Sequence, residues 1–215
     1  LSHLREIYFT NIKSKNSIKT LAENIFLESV KRIAESIGRI IISGFVHGVL
    51  NTDNFNVTGE VFDYGPWRFI EFANSSFTAA YFDEYGRYSF GRQPEAALWA
   101  LTQLGKSLDK FIDEKTIIET LNQFSKCFHE SLKKHFCWRM GIQDIDSKNL
   151  NEIIKILFNE SVKNKIDYAD MYYDFYGGRD SIIDCIKTNY GKKYKINEFS
   201  KIVDILKETS PSKGV

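Results

Sequence analysis

The chain has little of what marks a secreted, disulfide-built or membrane-spanning protein. Its 215 residues include three cysteines, Cys127, Cys137 and Cys185. They are too few and too irregularly spaced for a disulfide framework or a zinc site, and they read as free thiols of a reducing compartment. The four histidines are scattered and form no HExxH-type pair. No apolar run reaches the roughly 18 residues that a membrane span needs. Residues 1–20 have no apolar core segment, which argues against a signal peptide. Excess charge of either sign is also missing: 29 Lys and Arg oppose 28 Asp and Glu, for a net +1. Bulk charge therefore points to no polyanion, and any affinity for phosphate must come from local groups. The expected setting is the cytoplasm, with neither nucleic acid nor membrane as partner.

What is present is an ordinary globular composition, 43% apolar, enough to fill one large domain or two small ones. From Ile18 to Ile41 the apolar residues Ile18, Leu21, Ala22, Ile25, Phe26, Val30, Ile33, Ala34, Ile37, Ile40 and Ile41 recur at helical spacing. Ser17 stands as N-cap and Gly44 follows the end. Gly44-Phe45-Val46 is a short apolar bridge into a polar loop, His47–Asn54. Phe55–Phe62 reads as two very short strands turned at Thr58-Gly59, and Asp63-Tyr64-Gly65-Pro66 breaks the second strand. Residues 67–92 are aromatic and loop-rich, and are expected to form a packed loop core over the hairpin. Helices are expected from Gln93 to about Leu108, over Lys115–Gly141, Leu150–Lys163, Asp167–Tyr176, Arg179–Tyr190 and Asn197–Lys207. Thr209–Val215 is expected to be a flexible tail, and the Lys-rich segment 191–195 a solvated face. The fold class is mainly α with a small β-hairpin.

The hairpin carries the chemistry. Asn54 and Asp63 stand at its two ends, with Asp53 beside Asn54. Mg²⁺ takes hard oxygen ligands from one or two carboxylates and leaves its other positions to water and phosphate. Asn54 offers a neutral oxygen and Asp63 an anionic one; Asp53 is a candidate proton acceptor for an attacking hydroxyl. His47 is expected to brace the loop through a backbone hydrogen bond. Turn chemistry alone also accounts for each of these Asn, Asp and Gly residues; their joint spacing behind a long amphipathic helix favours a site.

A long helix, a polar loop, a tiny hairpin and then Asp-aromatic-Gly is the order of a protein-kinase-like C-terminal lobe, whose loop reads H-x-D-x-x-x-x-N before a DFG-type motif. His47 and Asn54 keep that separation, but Val49 stands where the kinase Asp is expected, which argues against an ordinary kinase. The stretches Gly44–Asn54, Phe62–Phe69, Phe77–Asp83 and Gly86–Glu95, with Leu98-Trp99 beyond, resemble the selenoprotein O (SelO) family of pseudokinase-fold proteins. The match is densest over 44–108 and weaker at Ser2-His3-Leu4-Arg5 and at Asp167-Tyr168. The resemblance implies a kinase-like C-lobe over 1–208 and Mg²⁺-dependent transfer of AMP from ATP, bound in reverse orientation to that of kinases, onto Ser, Thr or Tyr hydroxyls of protein substrates. It implies Asp53 as the proton acceptor, Asn54 and Asp63 as metal ligands, and Asp63 and Arg5 as nucleotide contacts. An Arg fork suits phosphate. The family's glycine-rich loop, nucleotide Lys and partner Glu precede the Ser-His-x-Arg motif, with which this chain opens. The chain is thus expected to be a fragment without the N-lobe, which another chain would supply, and weak in turnover alone. Alternatives are an inactive remnant or interaction module, and an atypical kinase.

Overall fold

The computed structural model describes residues 1–13, 17–178, 181, 184–185, 187–188, 190–195 and 198–213. Most of the expected helix Arg179–Tyr190 and the first residue of Asn197–Lys207 lie outside them or among isolated described positions. The described chain is mainly helical, with one two-stranded antiparallel sheet.

A short helix α1 (Ser2–Ile7) leads to α2 (Ile18–Ser43), the axis of the molecule. Ser17 caps α2 by accepting from the Thr20 N–H, and Gly44 closes it in the left-handed conformation, its N–H returned to Ile40 and Ile41. Ile18 faces solvent, but the rest of the stripe is largely buried. Strand β1 (Phe45–Val46) follows directly and pairs with β2 (Arg68–Phe69), Phe45 opposite Phe69 and Val46 opposite Arg68. Then come α3 (Gln93–Ser107), α4 (Glu114–Leu121), α5 (Gln123–Met140), α6 (Ser147–Asn164), α7 (Tyr168–Asp174), a 3₁₀ segment over Tyr190–Lys195, and α8 (Phe199–Lys207).

Helix α5 lies along α2, and the two pack tightly at Gly38. A methyl group at position 38 would collide with the Ser131 side chain, whose hydroxyl donates to the Glu35 carbonyl at 2.8 Å. On either side of that crossing α2 serves two cores. Ala22, Phe26, Val30, Ile33 and Ile37 meet Leu50 and Val61 of the hairpin region and Ala97 and Leu101 of α3. Further along, Ile42 and Val46 join Phe90, Phe136, Met140, Ile153, Met171, Phe175 and Phe199. The hairpin region is therefore seated on α2 and α3 by the first core and tied through β1 to the second.

Four expectations change. The two-residue strands are Phe45–Val46 and Arg68–Phe69, while the Phe55–Phe62 hairpin holds a single bridge, Phe55 to Val61. The helix expected over Lys115–Gly141 is broken at Asn122. The expected tail is paired as far as Ser212: Gln143 N–H donates to Ser210 O at 2.9 Å and Ser212 N–H to Gly141 O at 2.8 Å. Lys193, expected on a solvated face, lies 2.9 Å from Asp170 and 3.2 Å from Asp174.

Candidate active site

Strand β1 delivers the chain from α2 into the polar loop. Gly44 O accepts from Ile70 N–H at 2.9 Å, which ties this passage to the segment after β2. His47 follows with no exposed surface. Its Nδ1 accepts from the Val49 N–H at 3.4 Å, so the ring proton sits on Nε2 and is donated to the Phe62 carbonyl at 2.8 Å. Burial pushes the imidazole pKa down, against the smaller opposing effects of the Phe62 bond and the nearby Asp63 charge. His47 is thus a neutral brace, as its sequence position implies.

Gly48 turns the loop with φ +88, and a Cβ there would fall 2.8 Å from Pro66 Cγ. The loop and the Asp63–Pro66 segment therefore pack closely only because residue 48 has no side chain. One 3₁₀ turn, Thr52–Asn54, then presents Asp53 outward and turns Asn54 inward. Asn54 is 5% exposed, and its Nδ2 donates to Val49 O at 2.6 Å. That bond fixes the carboxamide and leaves Oδ1 as the atom free to serve a ligand.

The hairpin returns through Asn56 N–H to Glu60 O at 2.9 Å and Phe62 N–H to Asn54 O at 3.2 Å. Its tip rests on α2, where the Ser36 hydroxyl donates to Gly59 O at 2.6 Å. Asp63 thus begins one residue beyond a direct backbone bond to Asn54. It is exposed and adopts φ 57, a left-handed conformation that Asp tolerates better than most residues. Tyr64 turns back, its hydroxyl donating to Val61 O at 2.6 Å, and its ring meets Phe45 edge-on at 5.6 Å and His47 at 5.4 Å.

The structure brings together the backbone of Asn54 and the residue before Asp63, with Asp53 adjoining. Among the described residues no hydrogen bond or ion pair joins Arg5 to these three. Arg5 instead donates to Glu6 at 2.8 Å, while Leu4 of its helix, the preceding Leu1 and Val57 of the hairpin all pack against a small cluster of Phe9, Ile12, Leu21 and Ile25. Also among the described residues, no three His, Cys, Asp or Glu side chains gather as a metal site; the donors here are a carboxamide and carboxylates. The aromatic segment does not form the expected packed loop core over the hairpin, since Trp67, Phe69, Tyr81, Phe82 and Tyr85 are exposed while Phe90 enters the core.

The residue that sequence reasoning missed is Gln93. It has no exposed surface, and its side chain holds both ends of the passage into the loop. The one sequence signal was a Gln at a helix start directly before Pro94, which does not separate it from a solvated N-terminal residue.

The family model described as protein adenylyltransferase SelO matches residues 1–199. The chain belongs to the SelO family. Relatives in this family named protein nucleotidyltransferase YdiU include those of Trichormus variabilis, 33% identical over 81% of the chain and 35% of the relative, and Synechocystis sp., 34% identical over 82% and 37%. That of Trichodesmium erythraeum is 33% identical over 81% of the chain and 38% of the relative. The chain thus spans little more than a third of the SelO relatives it matches. Among the described residues no helix is long and apolar enough to cross a membrane.

Proposed function

We propose that residues 1–208 form a protein-kinase-like C-terminal lobe of a SelO-type protein adenylyltransferase, and that the hairpin carries its reacting groups. The hydroxyl oxygen of a protein Ser, Thr or Tyr attacks the α-phosphorus of ATP. The bond from that phosphorus to the bridging oxygen breaks, pyrophosphate leaves, and the hydroxyl proton passes to the Asp53 carboxylate. Asn54 Oδ1 and the Asp63 carboxylate would hold Mg²⁺, which supplies charge neutralisation at the phosphates. Asp63 also approaches the nucleotide, and Arg5 would turn from Glu6 to phosphate oxygens. The cell compartment is the cytoplasm.

The observation that carries this reading is the Phe62 N–H to Asn54 O bond at 3.2 Å, which ties the two proposed ligand positions across the hairpin. The fit of the metal rests on donor chemistry. Asn54 Nδ2 is committed to Val49 O, so its oxygen is left over, and oxygen donors of this kind suit Mg²⁺.

Mn²⁺ added to the ¹⁵N-labelled protein with ATP should broaden the signals of Asp53, Asn54 and Asp63 first, and Asp63→Asn should abolish that selectivity. Broadening centred elsewhere in the molecule would refute the site. With α-labelled ATP, label entering protein with pyrophosphate release supports adenylyl transfer, whereas ADP release marks a kinase.

A further inference from the structure

We propose that Gln93 is a positioning residue of this site, acting as a surrogate β-strand for the passage into the loop. Gly44 O and the Val46–Arg68 pairing face β2. Backbone groups alternate sides along a strand, so those of Phe45 and His47 face away from β2, where no strand follows among the described residues. The Gln93 side chain fills that edge. Its Oε1 accepts from His47 N–H at 3.0 Å, and its Nε2 donates to Phe45 O at 3.0 Å and to Phe90 O at 3.4 Å. One amide thus bonds residues two apart, Phe45 of β1 and His47 just after it, as the peptide groups of a neighbouring parallel strand would.

The chemistry leaves little room for substitution. A carboxamide has one oxygen and two N–H donors, and here both ends are in use with no exposed surface. A carboxylate at position 93 keeps the acceptor but faces two carbonyls without a donor. An apolar side chain removes the partner of the His47 N–H and of the Phe45 and Phe90 carbonyls.

Gln93 also couples two regions. Just before it, Phe90 N–H donates to Phe77 O at 2.9 Å and Gly91 N–H to Ser75 O at 2.9 Å. The amide therefore joins the aromatic segment to His47, and His47 holds Phe62, the neighbour of Asp63. A shift at position 93 reaches Phe62, the residue before the proposed ligand Asp63, through two hydrogen bonds.

The role in transfer rests on the adenylyltransferase reading, but the test separates the two. In folded Gln93→Met, judged by far-UV circular dichroism and cooperative unfolding, the His47 imidazole and Asn54 carboxamide NMR signals should move, while the exposed control Gln123→Met leaves them in place. Where the wild-type protein transfers AMP, kcat should fall by about 10–100-fold with KM for ATP little changed, since small misplacements of reacting groups carry losses of that order. Unmoved His47 and Asn54 signals in the folded variant would overturn the proposal. Absence of transfer in the wild type would count against the adenylyltransferase reading alone, because the signals still decide the role of Gln93. Should Gln93→Met not fold, Gln93→Glu carries the same reading with the His47 acceptor kept.

Discussion

The Nε2 of His47 lies 2.8 Å from the carbonyl oxygen of Phe62, and this bond closes the site from the inside. It joins the first residue of the polar loop to the last residue before Asp63. With the Phe62 N–H bonded to Asn54 O, both backbone groups of Phe62 are held by the loop. Residue 63 therefore starts from a clamped neighbour, although its own side chain is exposed.

His47→Ala should accordingly loosen Asp63 before it unfolds the protein. Leaving the part-buried Phe62 carbonyl unpaired costs at most about 1–3 kcal/mol, and the lost ring adds a cavity term. Urea denaturation should show that loss, and amide hydrogen exchange at Val61–Tyr64 should quicken more than in α5. Uniform acceleration across both segments would mean that the clamp is not local.

Gly48→Ala tests the close approach of loop and return segment. The backbone there has φ +88, and the added methyl would meet Pro66 Cγ at 2.8 Å and Ala79 Cβ at 3.3 Å. Strain at such a position is worth about 1–3 kcal/mol, and the Pro66 ring has to move as well. The expected result is a lowered urea midpoint with displaced Pro66 signals. A variant as stable as the wild type would show that the segment at Pro66 yields freely.

Much of this arrangement is legible in the residues themselves. The spacing from Leu21 to Ile37, the Ser17 cap and the Gly44 terminator specify α2, and the structure places all three as expected. His47 as a brace also follows from its position. The helix break at Asn122 does not, because Ile118, Leu121, Phe124 and Phe128 keep helical spacing straight through it. Nor does the sheet: strands of two residues are too short for alternation to register. Their pairing depends on a long-range meeting of Phe45 with Phe69. The exposed rings of Trp67, Phe69, Tyr81 and Tyr85 defeat an argument from hydrophobicity, since composition counts an aromatic as core wherever it sits. Gln93 is hidden for the opposite reason, a polar residue whose partners are backbone groups, those of Phe45 and His47 being distant in the chain.

Neighbouring substitutions at 53 and 54 should differ in their effect on stability. Asp53 is exposed, and Asp53→Ala should change unfolding free energy by no more than about 0.5 kcal/mol. Asn54 is buried, with its amide bonded to Val49 O, so Asn54→Ala should cost about 1–3 kcal/mol. Metal or nucleotide titrations on the two variants are then read differently: a loss of transfer in Asp53→Ala without loss of stability speaks for a reacting group. A large stability loss on replacing Asp53 would instead assign it to turn structure.

Acid should weaken the fold earlier than carboxylates alone would cause. His47 and His135 both have depressed pKa values, in each case chiefly through burial; at His135 the Arg39 and Lys134 charges add to it. Above the ordinary imidazole pKa of about 6.5 the folded and unfolded states are both neutral at these rings, and the full stability is present. As pH falls below that value, the unfolded chain takes up protons first, so stability drops until the folded imidazoles also titrate. Each group contributes at most about 1.4 kcal/mol per pH unit within that window. A second decline belongs to Glu35, whose carboxyl is held low by hydrogen bonds from Lys134 and Arg39 and loses that benefit below about pH 4.5. Urea midpoints measured from pH 7.5 down to 5.5 should therefore fall, and His47→Gln, which keeps a neutral donor for Phe62 O, should flatten part of that slope. Equal midpoints at both ends of the range would show that the folded protein accepts the His47 proton as readily as the unfolded chain does, and that the buried brace is not held neutral.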